Sequence, residues 1–365
     1  MQVIELFKFL LESKSETPDD GGLLDFIERY LLDFTAIRID KEDVKNLFVY
    51  KKFGEGDHLS FAGHVDVVPA GKGWDSDPYK AIEKDGFIYG RGAQDMKSGV
   101  AAFVQALKET KKFNGTLSLL LTSDEEGEAT HGTVEVLKYL ARHELLPDFV
   151  VVAEPTCEER FGDAIKVGRR GSINGYLTLK GKQGHAAYPE KAINPIHNIS
   201  AVLSTIAGVD LDDGDEFFAP SKLVITDIRS GMEVTNVTPN DLKMMFNVRN
   251  NTKTTQDEIV LFVAKRFNGL DYELRLTQGS YPFKTDTNTK VVKNIDKAIE
   301  TVTGIKPKHS TAGGTSDARF MAPVGIDVIE FGVKNDTIHS INERTTRSEV
   351  EDLHKVFKTL INNWK

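Results

Sequence analysis

Histidines and carboxylates recur in this chain where a parallel sheet would gather them. His64 and Asp66 follow an apolar, strand-like run at 58–63. Glu125 and Glu126 follow another at 116–122, and Glu154 follows a third at 148–153. Asp95 lies in a Gly-rich stretch ahead of a helical pattern at 97–111. The steps from 64 to 95, 95 to 125 and 125 to 154 are 31, 30 and 29 residues. Each is close to the roughly 30 residues of one βαβ unit. The carboxyl ends of parallel strands open into one crevice, so these clusters are expected to meet there. His339, eight residues beyond an apolar run at 327–331, can join them.

Four carboxylates with one or two imidazoles repel one another unless cations lie between them. Imidazole with carboxylate, and no thiolate, suits Zn2+ in a catalytic setting. Taken singly, each acid could equally be a helix N-cap or a solvated turn residue. The recurrence at strand ends is what favours a metal crevice, but spacing alone does not separate ligand from base. A carboxylate at Asp66, two residues beyond His64, is suited to fix the imidazole tautomer through its other nitrogen.

The elements that must position these residues follow from periodicity. Helical spacing at 3–11, 23–32, 97–111 and 133–142 alternates with near-continuous apolar strands, which predicts an α/β domain with a largely parallel sheet. After Arg170 the pattern changes. A strand at 172–180, a helix at 195–209, strands at 222–229 and 242–249, a helix at 255–267 and a strand at 272–278 give the β-α-β-β-α-β order of a ferredoxin-like unit. From about residue 283 the αβ alternation resumes, with a helix at 291–303, a strand at 327–331 and a helix at 349–364. The expected organisation is a catalytic domain at 1–170 and 284–365, interrupted by a smaller domain at 171–283.

Composition narrows the function class. The 365 residues carry 46 Lys and Arg against 55 Asp and Glu, a net charge of 46 − 55 = −9. With 40% apolar and 28% charged residues, the chain reads as globular rather than disordered or disulfide-stapled. An acidic chain without a basic run is a poor binder of nucleic acid or anionic membranes. The single cysteine, Cys157, excludes an intrachain disulfide and fits a reducing compartment, where it reads as a packed side chain. The first twelve residues carry Glu5, Lys8 and Glu12 and lack the features of a signal peptide. No run of about 18 apolar residues occurs, so a cytoplasmic protein is expected. The stretch Gly90 to Ser98 lacks the Gly before Lys that a phosphate loop needs. Ala312 to Asp317 is weak as a nucleotide fingerprint but suits a nest for a substrate carboxylate.

Four motifs carry a resemblance: Gly63-His64-Val65-Asp66-Val67-Val68-Pro69, Gly90-Arg91-Gly92-Ala93-x-Asp95-Met96-Lys97, Ser123-Asp124-Glu125-Glu126-Gly127 and Glu154-Pro155. They resemble the metallopeptidases and deacylases with co-catalytic zinc, a family that includes aminoacylases, acetylornithine deacetylases and carboxypeptidases. The resemblance runs over nearly the whole chain. It implies a zinc-dependent exopeptidase-like catalytic domain with a mixed, largely parallel sheet, interrupted by a ferredoxin-like α+β dimerisation or lid domain. It implies two Zn2+ per subunit, one of them exchangeable for Co2+. Asp95 would bridge the ions, His64 and Glu154 would complete one, and Glu126 and His339 the other. Glu125 would be the general base, passing a proton from water to the leaving amine, and Asp66 would orient His64. His185, supplied by the other subunit of a homodimer, would stabilise the oxyanion.

Further stretches look like the branch of this family that hydrolyses N-succinyl-LL-2,6-diaminopimelate in lysine and diaminopimelate biosynthesis. They are Gly168-Arg169-Arg170-Gly171-Ser172, Gln183-Gly184-His185-x-Ala187-Tyr188-Pro189, Asn194-Pro195-Ile196-His197, Gly313-Gly314-Thr315-Ser316-Asp317 and Ile338-His339-x-x-Asn342-Glu343. That substrate carries three carboxylates, which suit bidentate Arg contacts. The resemblance assigns substrate contacts to Arg169, Tyr188, Asn236, Arg249, Gly314 and Thr315. Val333 and Thr238 depart from the pattern, in loops. The competing expectations are another deacylase of the family, acting on acetylornithine or another acylated amino acid, and a non-catalytic member. The latter predicts loss of a ligand or the base, and all six positions are present.

Overall fold

A computed structural model describes residues 1–364. Two compact units are present. The first comprises Met1–Gly168, Lys284–Ser310 and the residues from Ser316 onward; the second comprises Arg169–Phe283 with Thr311–Thr315.

The first unit is built on eight strands: β1 (Thr35–Arg38), β2 (Asn46–Lys52), β3 (His58–His64), β4 (Thr116–Thr122), β5 (Phe149–Val152), β6 (Ala164–Lys166), and, late in the chain, β11 (Lys308–Ser310) and β12 (Asp327–Glu330). Their order is β1-β2-β4-β3-β5-β12-β6-β11. The central run β4-β3-β5-β12 is parallel throughout. β1 and β2 are antiparallel additions at one edge. From the second residue onward, β3 and β4 are buried at every position, as strands covered on both faces must be. Helices α1 (Val3–Glu12), α3 (Lys97–Glu109), α7 (Lys290–Thr303) and α9 (Arg347–Asn363) pack together. Phe61 of β3, Phe103 of α3 and Phe357 of α9 meet with ring centroids 5.1 to 6.5 Å apart. Helix α2 (Leu23–Tyr30) packs on β2, α4 (Thr133–Arg142) on β2 and β4, and the short α8 (Ala318–Met321) on α4 and β12. The start of α9 is fixed by a capping box: the Glu349 N–H donates to Thr346 Oγ1 at 3.1 Å, and the Thr346 N–H donates back to Glu349 Oε2 at 3.2 Å.

The second unit is a four-stranded antiparallel sheet of β7 (Ser172–Lys180), β8 (Lys222–Ser230), β9 (Asp241–Arg249) and β10 (Tyr272–Ser280), in the order β8-β9-β7-β10. With α5 (Pro195–Leu203) and α6 (Gln256–Arg266), this is the ferredoxin-like order. Burial alternates along β7 and β9. Ile173, Leu177, Leu242, Phe246 and Val248 form one core with Ile199 of α5 and Ile259 and Val263 of α6. The opposite sheet face is more exposed. Helix α5 ends at Leu203 rather than running to 209. Beyond it the chain turns, Gly208 takes φ +68°, and its N–H bonds the Leu223 carbonyl of β8.

Among the described residues no helix is long and apolar enough to cross a membrane.

Candidate active site

The site of the first unit lies at the carboxyl ends of the parallel strands. His64 is the last residue of β3, Glu125 and Glu126 follow β4, and Glu154 follows β5. Asp95 stands just ahead of α3, and the Asp95–Met96 peptide is cis. Asp95 divides its carboxylate between two imidazoles. Its Oδ1 lies 3.2 Å from His64 Nε2, and its Oδ2 lies 3.3 Å from His339 Nε2. His339 Nε2 is also 2.9 Å from Glu126 Oε1. His64 Nε2 is 3.8 Å from Glu154 Oε1 and 4.0 Å from Glu125 Oε2. Ligand atoms of His64, Asp95 and Glu126 all fall within 4.8 Å of one another. All seven predicted residues of this unit are therefore in one cluster.

The electrostatics are those of crowded negative charge. Burial pushes the Glu125 and Glu154 carboxyls well above the ordinary range; the Asp95 charge adds to that at Glu154. Burial also works to raise Asp95, yet the bonds to His339 and His64 hold it below the usual carboxylate range. His339 is pushed up to about 10 by its bonds to Asp95 and Glu126. Burial opposes charge on His64, but Asp95, Asp66 and Glu125 raise its pKa well above the ordinary value. Both imidazoles are thus driven to carry positive charge, the role that cations fill in such a cluster. Oxygen and imidazole donors without sulfur suit a divalent cation of the zinc type. Asp95, with one oxygen toward each imidazole, has the geometry of a bridge between two.

Asp66 is fully buried, and burial lifts its pKa to about 6. His64 Nδ1 bonds the Asp66 backbone carbonyl at 2.9 Å, with the carboxylate farther off at 3.6 Å. The carboxylate is engaged elsewhere: its Oδ2 accepts the N–H of Glu126 at 3.1 Å. In the neutral ring that a metal ligand must be, the tautomer of His64 is therefore set chiefly by the backbone of the residue predicted to set it.

The second unit holds the remaining predicted residues in separate groups. His185 pairs across a short ladder with Val237 and stands 5.9 Å from the ring of Tyr188. The Ala186 N–H bonds the Asn236 carbonyl at 2.9 Å. The Ala187 N–H donates to His185 Nδ1 at 3.1 Å. That leaves the ring proton of a neutral imidazole on Nε2. Arg169 is buried and donates from Nη1 to the Ala312 carbonyl at 3.0 Å. A Cβ added at Gly313 (φ +105°) would stand 2.5 Å from that same nitrogen. Gly314 faces open space, and the buried Thr315 Oγ1 has no protein partner. Arg249 is exposed at the end of β9.

Two acids near the centre were given no role of their own by the sequence. Asp317 is 3% exposed; its Oδ2 accepts from Thr133 Oγ1 at 2.6 Å, and its Oδ1 has no partner. Glu330, at the end of β12, accepts from Ser316 Oγ at 2.5 Å. Its place at a strand end was the available signal.

A sequence profile of peptidase family M20/M25/M40 matches residues 60–363. A protein of Sulfurimonas denitrificans named succinyl-diaminopimelate desuccinylase is 76% identical over 365 residues, with all of both chains covered. Among solved structures, aminopeptidase PepT from Bacillus cereus aligns with a TM-score of 0.80 at 19% identity, over 98% of this chain and 97% of that one. The YXEP protein of Bacillus subtilis, titled a dinuclear metal binding peptidase from the M20 family, aligns with a TM-score of 0.72 at 14% identity, over 98% and 96%. At these identities the two structures show the fold.

Proposed function

The chain belongs to peptidase family M20/M25/M40, and we propose that it hydrolyses N-succinyl-LL-2,6-diaminopimelate to succinate and LL-2,6-diaminopimelate, a step of lysine and diaminopimelate biosynthesis. The observation that carries a two-cation amide hydrolase is the Asp95 carboxylate, one oxygen toward His64 and the other toward His339. The substrate choice is supported by the name of the full-length relative at 76% identity.

His64, Asp95 and Glu154 would hold one divalent cation, and Asp95, Glu126 and His339 the other. We read these as Zn2+, with Co2+ able to replace one. Such a pair supplies polarisation of the amide carbonyl and a water of lowered pKa. Glu125, half-buried beside His64, takes the proton of the attacking water. The water oxygen joins the succinyl carbonyl carbon, the carbon–nitrogen bond breaks, and Glu125 returns the proton to the leaving amine. Arg169, Tyr188, Asn236, Arg249, Gly314 and Thr315 would contact the substrate, whose three carboxylates call for donors of this kind. His185, with its proton on Nε2, would reach the oxyanion of a partner subunit in a homodimer. A cytoplasmic setting accords with a biosynthetic role and a single buried thiol.

The test is direct. The purified chain with Zn2+ is offered succinyl-diaminopimelate and acetylornithine side by side. Preferential release of succinate supports the reading; faster turnover of acetylornithine replaces it with another deacylase activity.

A further inference from the structure

His339 and Asp95 come from two loops of the first unit that lack regular structure of their own. The loop bearing His339 is unusual. His339 takes φ +57° and Asn342 φ +58°, left-handed conformations that non-glycine residues keep only where their surroundings over-determine them. Asn342 is itself tied to Asp75: it accepts the Asp75 N–H and donates to Asp75 Oδ2, each at 3.0 Å. Two further side chains tie this loop to that of Asp95, and neither is a candidate ligand. The carboxylate of Glu343 is fully buried. Its Oε1 accepts from the N–H groups of Gln94 and Asp95 at 2.8 and 3.1 Å. Its Oε2 accepts from Arg91 Nη1 at 2.7 Å and the Gly92 N–H at 3.0 Å. Gln94 reaches back in the other direction. Its Oε1 accepts from the Thr337 N–H at 2.8 Å and Thr337 Oγ1 at 2.9 Å, and its Nε2 donates to Asp336 Oδ1 at 2.7 Å. Arg91 Nη2 adds a contact to the His339 carbonyl at 3.4 Å.

We infer that Glu343 and Gln94 form a reciprocal clamp, two positioning residues that set the Asp95–His339 separation and thereby the affinity of one cation subsite. This rests on the two-cation reading of the site. Both oxygens of Glu343 are filled by N–H donors, so its charge serves the loop rather than an ion. An acceptor on both sides is required there: a glutamine would turn its NH2 toward N–H groups in either orientation. The clamp grips the Asp95 backbone and the loop that carries His339. His64 and Glu154 sit at the ends of hydrogen-bonded strands and stay in place without it. Asp95 serves both subsites, so loosening the clamp weakens both, and weakens that of Glu126 and His339 more, because His339 is displaced as well.

The experiment is calorimetric titration of metal-free protein with Zn2+ for the wild type, Glu343→Gln, Gln94→Met and, as a marker, His339→Ala. The binding step abolished in His339→Ala identifies the subsite. In both clamp variants that step is expected to weaken by about 10- to 100-fold, as for other residues that orient ligands, while the other step, which shares Asp95, weakens clearly less. Metal-free Tm should stay near the wild type in Gln94→Met, which decides the matter alone should Glu343→Gln not fold. Lost kcat should return at excess Zn2+ with substrate KM unaltered. Equal weakening of both steps together with a fall in metal-free Tm overturns the proposal, since a merely structural role predicts it. A wild type with two steps and variants identical to it also overturns the clamp, leaving the two-cation reading intact. A wild type that binds one ion overturns both.

Discussion

The carboxylate of Asp66 holds the backbone N–H of Glu126 at 3.1 Å. One residue thus serves both halves of the site, His64 through its main-chain carbonyl and Glu126 through its side chain. Two contributions of the side chain can be separated, its oxygen toward Glu126 and its charge 3.6 Å from His64 Nδ1, while the main-chain carbonyl is untouched by substitution. Asp66→Asn keeps an oxygen for Glu126 and removes the charge facing His64. Asp66→Ala removes both and strands a part-buried N–H, at about 1–3 kcal/mol. The expected outcome is a loss in kcat/KM of about 10- to 100-fold for Asp66→Ala and a clearly smaller loss for Asp66→Asn. Equal losses would show that charge toward His64, not the hold on Glu126, is what matters.

Glu125 and Glu126 are adjacent in sequence and are assigned different work. Only Glu126 contacts His339, while Glu125 sits near His64 in surroundings that raise its proton affinity, chiefly through burial. Glu125→Gln should retain both metal ions and lose turnover by about 10²- to 10⁴-fold, the usual contribution of a general base. Metal analysis finding one ion missing from this variant would mean that the two roles are exchanged.

What was legible in the sequence was whatever leaves a periodic or compositional mark. The buried runs of β3, β4 and β5 are mostly apolar, so the strand ends could be found, and with them His64, Glu125 and Glu154. The edge strand β1 left a weaker mark, because Thr35–Arg38 is half exposed and short. Glu343 and Gln94 left no such mark: Glu343 closes one motif and Gln94 is an unspecified position of another, and neither carried a role. Their partners are mostly backbone N–H groups and a loop some 240 residues away, and a side chain that holds a backbone looks like any surface acid or amide until the chain is folded. Asp66 shows the same limit in smaller form: its proximity to His64 was readable, but not that its main chain would take the imidazole.

His58, at the opposite end of β3 from His64, gives a pH prediction independent of the metal site. Its Nε2 contacts Ser118 Oγ at 2.7 Å, and burial lowers its pKa from 6.5 to about 4. The folded state therefore binds fewer protons than the unfolded state between these values. The stabilisation from a neutral His58 is complete above pH 6.5, falls as the pH drops toward 4, and changes no further below that. Between pH 7.5 and 5 the loss is about 2 kcal/mol. Both tryptophans, Trp74 and Trp364, belong to the first unit, so their fluorescence in urea reports its unfolding. His58→Gln should flatten the acid side of the stability curve by that amount. Identical pH dependence in the two proteins would mean that His58 is solvated in the folded state.

His185 tests the assembly. It lies in the second unit, whereas every candidate metal ligand lies in the first. Its Nδ1 accepts the Ala187 N–H, which leaves Nε2–H as a donor suited to an oxyanion. If a partner subunit supplies that donor, His185→Ala and Glu125→Ala are each nearly inactive as homodimers but complement one another when mixed. In a mixed dimer, the subunit carrying His185→Ala keeps its own Glu125 and receives an intact His185 from its partner. The other site lacks both groups. Each mixed dimer has one whole site of two, so the isolated mixed dimer should show about half of wild-type activity, and an unfractionated mixture from random pairing about a quarter. The two variants are co-expressed with different tags, the doubly tagged dimer is isolated, and succinate release is measured. Activity in that dimer no higher than in the separate variants would place His185 in service of its own subunit, or of none.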